Sequence, residues 1–316
     1  MKERKYYIGI DLGGTFIKGG IVDGTGALLA IDKTPTEKLE GGLHVVENIV
    51  ALSRKLLEKL SLTTSDICGL GMGVPGLIDS ANGVVVFAGN LRFERFEIAA
   101  EIEKRLGVPV KIANDANVAA LGETKFGCGK DYENTILVTL GTGVGGGIVI
   151  DGKLFEGTRS AGAELGHSVI VAGGEQCTCG RKGCLEAYAS ATALIRDTKR
   201  AMEADKDSKM WEIGSTENVT GKTAFDYKDC DGSAKKVVEN YIEKLGVGLV
   251  NLANEFRPET ILLGGGVCAQ GDNLVKPLQA LMDKEIFAGK RGPQVKILTA
   301  TLGNDAGVLG AAALWM

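Results

Sequence analysis

The sequence predicts an α/β protein of two similar lobes, in which mixed sheets are covered by helices. Three observations predict this class. The chain has 316 residues, 44% of them hydrophobic and 24% charged, which allows about two domains at roughly 150 residues each. Strand-like and helix-like segments alternate along the chain. One order of strand, glycine turn, strand, tight turn and strand occurs twice, which indicates an internal duplication.

The first copy of this order begins at residues 6–10, a β-rich run that enters the turn DLGGT. The chain continues through FIKGGIV, turns at Asp23 and Gly24, and resumes as ALLAID. Apolar residues between positions 42 and 61 then recur at helical spacing. We therefore predict a three-stranded β-meander followed by a helix.

Two more strands are predicted before the second copy. Residues 67–74 form an apolar run that ends at Pro75 and Gly76, and residues 108–113 form another that leads into a helix opening at Asn114. The second copy starts at residues 135–140, passes through GTGVGGGIVI, turns at Asp151 and Gly152, and resumes as KLFEG. A helix over residues 185–202 follows it.

The last third of the sequence predicts further α/β structure. Residues 234–256 have the pattern of a long amphipathic helix that ends before Pro258, and residues 260–263 read as a buried strand entering GGGV. Asp305 is predicted to cap a last helix running to about residue 315. Residues 204–231, rich in charged and small polar residues, are predicted to form an irregular surface excursion.

Charge and cysteine content exclude several classes of partner. Lys and Arg number 36 against 40 Asp and Glu, a net charge of −4, so no cationic excess is present to bind nucleic acid or an anionic bilayer. The longest uncharged stretch, residues 134–150, is too short and polar to cross a membrane. Seven cysteines make an odd count, and no leader pattern precedes the first strand. We expect a reduced, cytoplasmic protein with no nucleic-acid or membrane partner.

The glycine turns of both copies are candidate phosphate sites. Consecutive backbone amides in such turns can form an anion nest, and two facing nests could hold one polyphosphate. Neither turn is a Walker loop, because no GK[ST] follows, and neither opens a helix as a dinucleotide fingerprint does. The alternative is a pair of hairpin turns that bind nothing, which the repetition disfavours. The turn residues are Gly13, Gly14, Thr15, Gly141, Thr142 and Gly143, with Lys18 expected to add positive charge and Asp11 to hold Mg²⁺ through water.

Five segments together resemble the ROK family of sugar kinases and repressors, within the actin and hexokinase superfamily. These are IGIDLGGTFIKGGIVD, LGTGVGGGIVIDGKLFEG, AGAELGH, CTCGRKGCLEAYAS and LLGGGV. The resemblance extends from about Tyr6 to the C-terminus and implies two RNase H-like lobes with ATP and sugar in the cleft between them. It implies a small lobe of residues 1–113 plus about 304–316 and a large lobe of residues 114–303 that carries a zinc loop. It also implies that Gly264, Gly265 and Gly266 lie beside the adenosine.

Asp115 has two interpretations. From the residues alone, an Asp at the start of a helix is commonly an N-cap. The functional alternative is a general base that accepts the sugar hydroxyl proton while the oxygen attacks the γ-phosphorus. The resemblance, through the segment NDAN, implies that Asp115 is this base.

The resemblance also implies a sugar pocket. Glu164 and His167 are three residues apart, which places them on one face if their segment is helical; the alternative is a surface capping pair. NLRFERF lacks the tryptophan that many glucokinase-like members carry shortly after the asparagine, so the identity of the sugar stays open. The implied pocket residues are Gly76, Asn90, Asn114, Asp115, Glu164, His167 and Glu186.

One histidine and three cysteines form a candidate metal site. His167, Cys177, Cys179 and Cys184 are the ligand set of a closed tetrahedral zinc site, and the alternative is a redox-active CxC pair. With four protein ligands, zinc would have no open position for chemistry. We expect it to fix the loop that carries His167 and Glu186.

The resemblance implies an ATP-dependent hexose kinase, most of all a glucokinase that phosphorylates the 6-hydroxyl of glucose with Mg²⁺ and a structural Zn²⁺. Other enzyme alternatives are fructokinase, N-acetylglucosamine or N-acetylmannosamine kinase and allose kinase, and polyphosphate stays open as a second phosphoryl donor. Non-enzyme alternatives are a sugar-responsive repressor and a catalytically silent sugar-binding protein. A homodimer or a dimer of dimers is expected.

Overall fold

The structure, a computed structural model, describes residues 5–316 and divides the chain into two compact units. The first unit comprises Met1–Asn134, as far as it is described, with Gly147–Ala163 and Thr301–Met316. The second comprises Thr135–Gly146 and Glu164–Ala300. The first unit thus holds the C-terminal segment together with residues 114–134 and 147–163, which lie beyond the boundary expected at residue 113.

Thirteen strands and nine α-helices occur among residues 5–316. The strands are β1 (Tyr6–Leu12), β2 (Phe16–Asp23), β3 (Leu28–Pro35), β4 (Ile67–Val74), β5 (Leu77–Asp79), β6 (Val84–Ala88), β7 (Phe93–Phe96), β8 (Val110–Asn114), β9 (Thr135–Leu140), β10 (Val144–Ile150), β11 (Lys153–Phe155), β12 (Thr260–Gly264) and β13 (Lys296–Thr299). The helices are α1 (Gly42–Lys59), α2 (Ile98–Leu106), α3 (Asp115–Phe126), α4 (Glu186–Ala189), α5 (Ala191–Ala204), α6 (Thr223–Tyr227), α7 (Gly232–Phe256), α8 (Asp272–Glu285) and α9 (Ala306–Ala313).

Two five-stranded sheets have the same strand order. The first runs β3-β2-β1-β4-β8 and the second β11-β10-β9-β12-β13, so in each the meander strands are followed by two strands from later in the chain. In the first sheet the β1-β2 and β2-β3 pairs are antiparallel, whereas β4 and β8 extend the sheet in parallel. In the second sheet β12 is parallel to both β9 and β13. The predicted α/β class and internal duplication are therefore confirmed.

The C-terminal helix α9 is apolar on all sides and packs within the first unit. Glycines allow it to lie directly on the sheet, because a Cβ on Gly9 would come within 2.0 Å of the Val308 carbonyl oxygen and one on Gly71 within 1.7 Å of that of Ala311. Gly310 of α9 lies against α3 in the same way, because a Cβ on Gly310 would come within 1.7 Å of the Val118 carbonyl oxygen. This close packing fixes α3, which begins at Asp115.

A buried carboxylate links α3 to the chain just before α9. Glu123 is 1% exposed. Its Oε1 accepts a hydrogen bond from the Leu302 amide at 2.7 Å, and its Oε2 accepts from the amides of Thr301 at 3.1 Å and Cys128 at 3.3 Å. Because burying a charged group is costly unless it is hydrogen-bonded, these donors are what make this carboxylate tolerable in the core.

Several local predictions are corrected. The predicted helix over residues 185–202 is two helices, since Ser190 has extended backbone angles and its Oγ caps α5 by accepting from the Ala193 amide at 3.1 Å. Residues 204–231 are not irregular: they contain two 3₁₀ turns and α6, and Met210 and Phe225 are buried. Asp305 stands before α9 but makes no capping bond, because its carboxylate pairs with Lys18. The small antiparallel sheet β5-β6-β7 was not predicted.

No helix among residues 5–316 combines the length and the apolar character needed to cross a membrane.

Candidate functional site

Asp115 is the first residue of α3, directly after β8. The helix is capped by the preceding residue, because Asn114 Oδ1 accepts from the amides of Ala116 at 2.9 Å and Asn117 at 3.4 Å. Asn114 Nδ2 donates to the Gly76 carbonyl oxygen at 3.1 Å, so its amide group is occupied at both ends. Asn114, not Asp115, is therefore the N-cap of α3. Asp115 is exposed to solvent, and one of its two carboxylate oxygens stays available to accept a proton.

Asp115, Asp11 and Lys18 interact electrostatically within the first unit. Burial raises the pKa of Asp115 although its side chain stays accessible to solvent. Burial also raises the pKa of Asp11, the nearby Asp115 raises it further, and Lys18 opposes both. Two desolvated carboxylates that repel each other form a region where a proton or a cation is stabilised.

The first glycine turn connects β1 to β2. Its closing bond runs from the Gly13 amide to the Phe16 carbonyl oxygen at 3.0 Å. The amides of Gly14 and Thr15 donate no hydrogen bond within residues 5–316. Asn90 lies beside this turn, since a Cβ on Gly14 would be 3.8 Å from the Asn90 carbonyl oxygen. The turn thus offers two free donors with a predicted sugar residue next to them.

The second glycine turn connects β9 to β10. It closes through the Gly141 amide and the Gly143 carbonyl oxygen at 3.0 Å, and the amides of Thr142 and Gly143 donate no bond within the described chain. Glu186 lies beside it, because Glu186 Oε2 accepts from the Val144 amide at 3.1 Å. Both turns therefore present the same pair of unused donors.

Neither turn uses left-handed backbone at its glycines. At Gly13 the absence of a side chain serves the turn itself, since a Cβ would lie 2.8 Å from the Phe16 carbonyl oxygen. Gly141 faces open space. A third glycine segment follows β12, where Gly265 has φ 90° and a Cβ there would lie 2.5 Å from the Leu140 carbonyl oxygen. The neighbouring Gly264 packs normally and Gly266 is open.

Glu164 and His167 flank a short 3₁₀ turn, Leu165–His167. The His167 amide donates to the Glu164 carbonyl oxygen at 3.1 Å, and Leu165 and Gly166 are buried between them. Glu164 is exposed and His167 is half-buried. The structure therefore brings Glu164 and His167 together on one turn, as their spacing predicts.

The predicted metal ligands converge in the second unit. The donor atoms of His167, Cys177, Cys179 and Cys184 all lie within 4.8 Å of one another. His167 Nδ1 is 3.6 Å from Cys177 Sγ, and Cys179 Sγ is 3.7 Å from Cys184 Sγ. His167 Nε2 makes no hydrogen bond within residues 5–316. One ring nitrogen thus belongs to the cluster, and the other is left for a second partner.

The chemistry of this cluster fits a zinc ion. Hydrogen bonding from the Arg181 backbone lowers the pKa of Cys179, whereas burial raises the pKa of Cys184 to about 12. A bound dication would stabilise all three thiolates at once, and three sulfurs with one imidazole nitrogen suit tetrahedral Zn²⁺. Cys177 Sγ lies 3.5 Å from Glu186 Oε1, and Thr178 Oγ1 lies 2.8 Å from the same oxygen. The loop over residues 177–184 therefore contacts a predicted sugar-binding residue.

Sequence reasoning missed the residues that support the two glycine turns. Buried Thr36 donates through Oγ1 to the Gly13 carbonyl oxygen at 2.7 Å and through its amide to that of Thr15 at 2.9 Å. Thr192 Oγ1 donates to the Thr142 carbonyl oxygen at 2.7 Å. Neither threonine lies in a glycine motif, and no local pattern marks it, because the contact forms only in the folded chain.

The repeated sheet order and the paired glycine turns define an α/β protein of the actin-like ATPase fold class. The chain belongs to the ROK family, which it matches over residues 7–316.

A glucokinase of Halalkalibacterium halodurans is 38% identical over 313 residues, covering 97% of this chain and 93% of that protein. A ROK family glucokinase from Streptomyces griseus, crystallised in complex with glucose and AMPPNP, is 34% identical with a TM-score of 0.77, covering 98% of both chains. The xylose repressor of Caldicellulosiruptor bescii is 29% identical over 97% of this chain and 77% of the repressor. The relatives of this chain thus include both glucokinases and a repressor.

Proposed function

We propose that this protein is an ATP-dependent hexose kinase that prefers glucose and transfers the γ-phosphoryl group to its 6-hydroxyl. The observation that carries the proposal is the state of Asp115, a carboxylate that is open to solvent yet desolvated enough to have a raised pKa. A carboxylate with a raised pKa is a stronger proton acceptor than an ordinary Asp. Similarity to the glucokinases supports the choice of reaction and sugar.

In this mechanism Asp115 acts as general base. Its carboxylate accepts the proton of the sugar hydroxyl as that oxygen forms a bond to the γ-phosphorus, and the bond from the γ-phosphorus to the bridging oxygen breaks to release ADP. The proton on Asp115 then passes to solvent, so the products are hexose 6-phosphate, ADP and one proton. Asn114 orients the base, because it caps α3 directly before Asp115.

The phosphate groups of ATP would bind the unused amides of the two glycine turns. Gly14 and Thr15 provide them in the first turn, and Thr142 and Gly143 provide them in the second. Gly264, Gly265 and Gly266 are assigned to the adenosine by the family resemblance. Asp11 suits Mg²⁺, which prefers carboxylate and water oxygens and would neutralise charge on the phosphates. Lys18 would add a positive charge once it is released from Asp305.

The hexose hydroxyls would be bound by Glu164, Glu186, Asn90 and the free Nε2 of His167. Short polar groups suit a sugar because each buried hydroxyl needs both a donor and an acceptor. Gly76 and Asn114 support this set by shaping the start of α3 rather than by offering free side-chain atoms.

Zinc would act through structure. When it is bound, four protein ligands fill its coordination shell, so it stabilises the fold of the loop over residues 177–184. His167 would be held through Nδ1 with Nε2 free for sugar, and Glu186 would be held through Thr178 and Cys177. Loss of zinc would therefore weaken hexose binding indirectly.

A sugar-responsive regulator is the second candidate, because the relatives include a xylose repressor. ATP-dependent ADP release in the presence of glucose separates the two functions, since a regulator would bind sugar without turnover. We also propose a cytoplasmic homodimer or dimer of dimers, which light scattering after size-exclusion chromatography would test.

A further inference from the structure

Three polar side chains that have not been assigned a role form a compact network in the first unit. Ser80 Oγ lies 2.9 Å from Glu156 Oε2 and 2.5 Å from Ser160 Oγ. The Ser80 amide also lies 3.4 Å from Ser160 Oγ. Ser80 follows β5, and Glu156 follows β11, so the network joins two regions that are 76 residues apart in sequence.

The donors and acceptors of this network are consistent with only one arrangement when Glu156 is ionised. Glu156 can only accept, so the Ser80 hydroxyl donates to it. Ser80 Oγ must then accept from the Ser160 hydroxyl, and Ser160 Oγ accepts from the Ser80 amide. Each hydroxyl therefore has one donor role and one acceptor role, and both serines are needed for the chain of bonds to close.

The network lies at the start of a strained segment. Between positions 157 and 163, Arg159, Ser160 and Ala163 have φ values of 52°, 56° and 63°. Side chains disfavour this left-handed backbone, so such a conformation persists only where surrounding contacts enforce it. The Gly162 amide donates to the Glu156 carbonyl oxygen at 2.8 Å, which closes the segment at its base.

Glu156 also carries an unsatisfied atom. Its Oε1 is buried and has no hydrogen-bond partner, and burial raises the pKa of the carboxyl group. A hydrogen bond to a carboxylate in such surroundings is stronger than one in water. The Ser80–Glu156 bond is therefore well suited to hold a strained backbone.

We propose that Ser80, Glu156 and Ser160 form a clamp that preorganises residues 157–163 and thereby restricts the conformations of Glu164, the next residue. This inference rests on the proposed function, in which Glu164 binds the hexose. The three clamp residues are positioning residues and do not touch substrate. Their loss should weaken hexose binding without altering phosphoryl transfer from ATP.

Limited proteolysis tests the clamp without using activity. Arg159 is exposed inside the segment, so trypsin cleavage after it reports how often the segment leaves its folded conformation. Cleavage at this bond, identified by mass spectrometry, should be about tenfold faster in Ser80→Ala and in Glu156→Ala, each of which removes the Ser80–Glu156 bond, than in wild type. Ser80→Thr, which keeps a hydroxyl, should restore the slow rate. Ser233→Ala is the matched control, because it removes a 2.6 Å serine–carboxylate bond to Asp205 elsewhere in the chain.

Steady-state kinetics test the predicted effect of the clamp on hexose binding. Ser80→Ala and Glu156→Ala should raise KM for hexose about three- to tenfold, with kcat, KM for ATP and zinc content unchanged. Wild-type cleavage rates and an unchanged hexose KM in both variants would overturn the clamp. Equal increases in the two KM values with a lowered Tm would also overturn it, since that is the result of general destabilisation. If wild-type protein phosphorylates no hexose, the proposed function fails, while the cleavage rates still decide whether the clamp exists.

Discussion

The amine of Lys18 lies 2.7 Å from Asp305 Oδ1 and 2.7 Å from the carbonyl oxygen of Asn304. This contact ties β2 to the residues that precede α9, and it explains why Asp305 does not cap that helix. The pair is half-exposed, with side-chain exposures of 26% and 46%, so it adds little stability. Exchange of this partner for a phosphate would therefore cost the fold little.

Replacing Lys18 should affect ATP more than sugar. Lys18→Met keeps the apolar stem and removes the charge, so we expect KM for ATP to rise about tenfold, as loss of one charge-assisted contact to a phosphate would give. The hexose KM and the Tm should change little. Steady-state kinetics with each substrate varied in turn would measure this, with Lys276→Met as control because Lys276 forms an exposed pair with Asp272. An unchanged KM for ATP would remove Lys18 from the nucleotide site.

Zinc removal should weaken hexose binding. Cys184→Ser replaces a buried residue that we propose as a zinc ligand, and we expect the purified variant to lack stoichiometric zinc and to have a raised KM for hexose, because Glu186 loses the support of the loop over residues 177–184. Metal content by mass spectrometry and hexose kinetics would check this. Cys230→Ser is the control, since Cys230 is exposed and lies outside the cluster. Normal hexose affinity in zinc-free protein would contradict the assignment.

Glu123 should be essential for stability. In Glu123→Gln one carboxylate oxygen becomes an NH₂ group, which must face the amide of Leu302 or the amides of Thr301 and Cys128. A buried donor facing another donor leaves both unsatisfied, so we expect a loss of about 2–4 kcal/mol in the free energy of unfolding. Urea denaturation would measure it. The exposed Glu239→Gln should stay within about 0.5 kcal/mol of wild type, and a similar result for Glu123→Gln would contradict this role.

Asp115 should reduce stability at neutral pH. Its pKa in the folded chain is raised above the ordinary value of 3.8, so the folded state binds the proton more tightly than the unfolded state. The free energy of unfolding therefore falls as pH rises from the unfolded pKa through the folded one. Asp115→Asn should have an equal or higher Tm at pH 7, measured by calorimetry against the exposed control Asp272→Asn. A clearly lower Tm would contradict the desolvation of this carboxylate.

Much of the fold could be predicted because its signals are local. The strands predicted over residues 67–74 and 135–140 are confirmed at the same bounds as β4 and β9, since both are uncharged, mainly apolar runs that end at turns. The duplication was visible because the glycine turns recur in the same order. The four candidate metal ligands were chosen by residue type and spacing, and the structure brings their donor atoms within 4.8 Å of one another.

Other features depend on contacts that a local pattern does not contain. Ser190 interrupts a helical pattern because the next residue, Ala191, donates through its amide to the Gly141 carbonyl oxygen at 2.8 Å, a bond within the second unit. The segment 204–231 was predicted to be irregular from its polarity, yet buried Met210 and Phe225 order it. Asp305 was wrongly predicted to cap α9, because its actual partner, Lys18, is 287 residues away in sequence and no local pattern indicates the pair.

The most direct test is ATP-dependent ADP release by zinc-replete protein across glucose, mannose, fructose, allose, N-acetylglucosamine and N-acetylmannosamine. We expect strong turnover with glucose, reduced about a hundredfold to ten-thousandfold in Asp115→Asn, the usual contribution of a positioned general base. Preference for another hexose would keep the mechanism and change the substrate. Silence across all six sugars, or near-normal turnover in folded Asp115→Asn, would contradict the account.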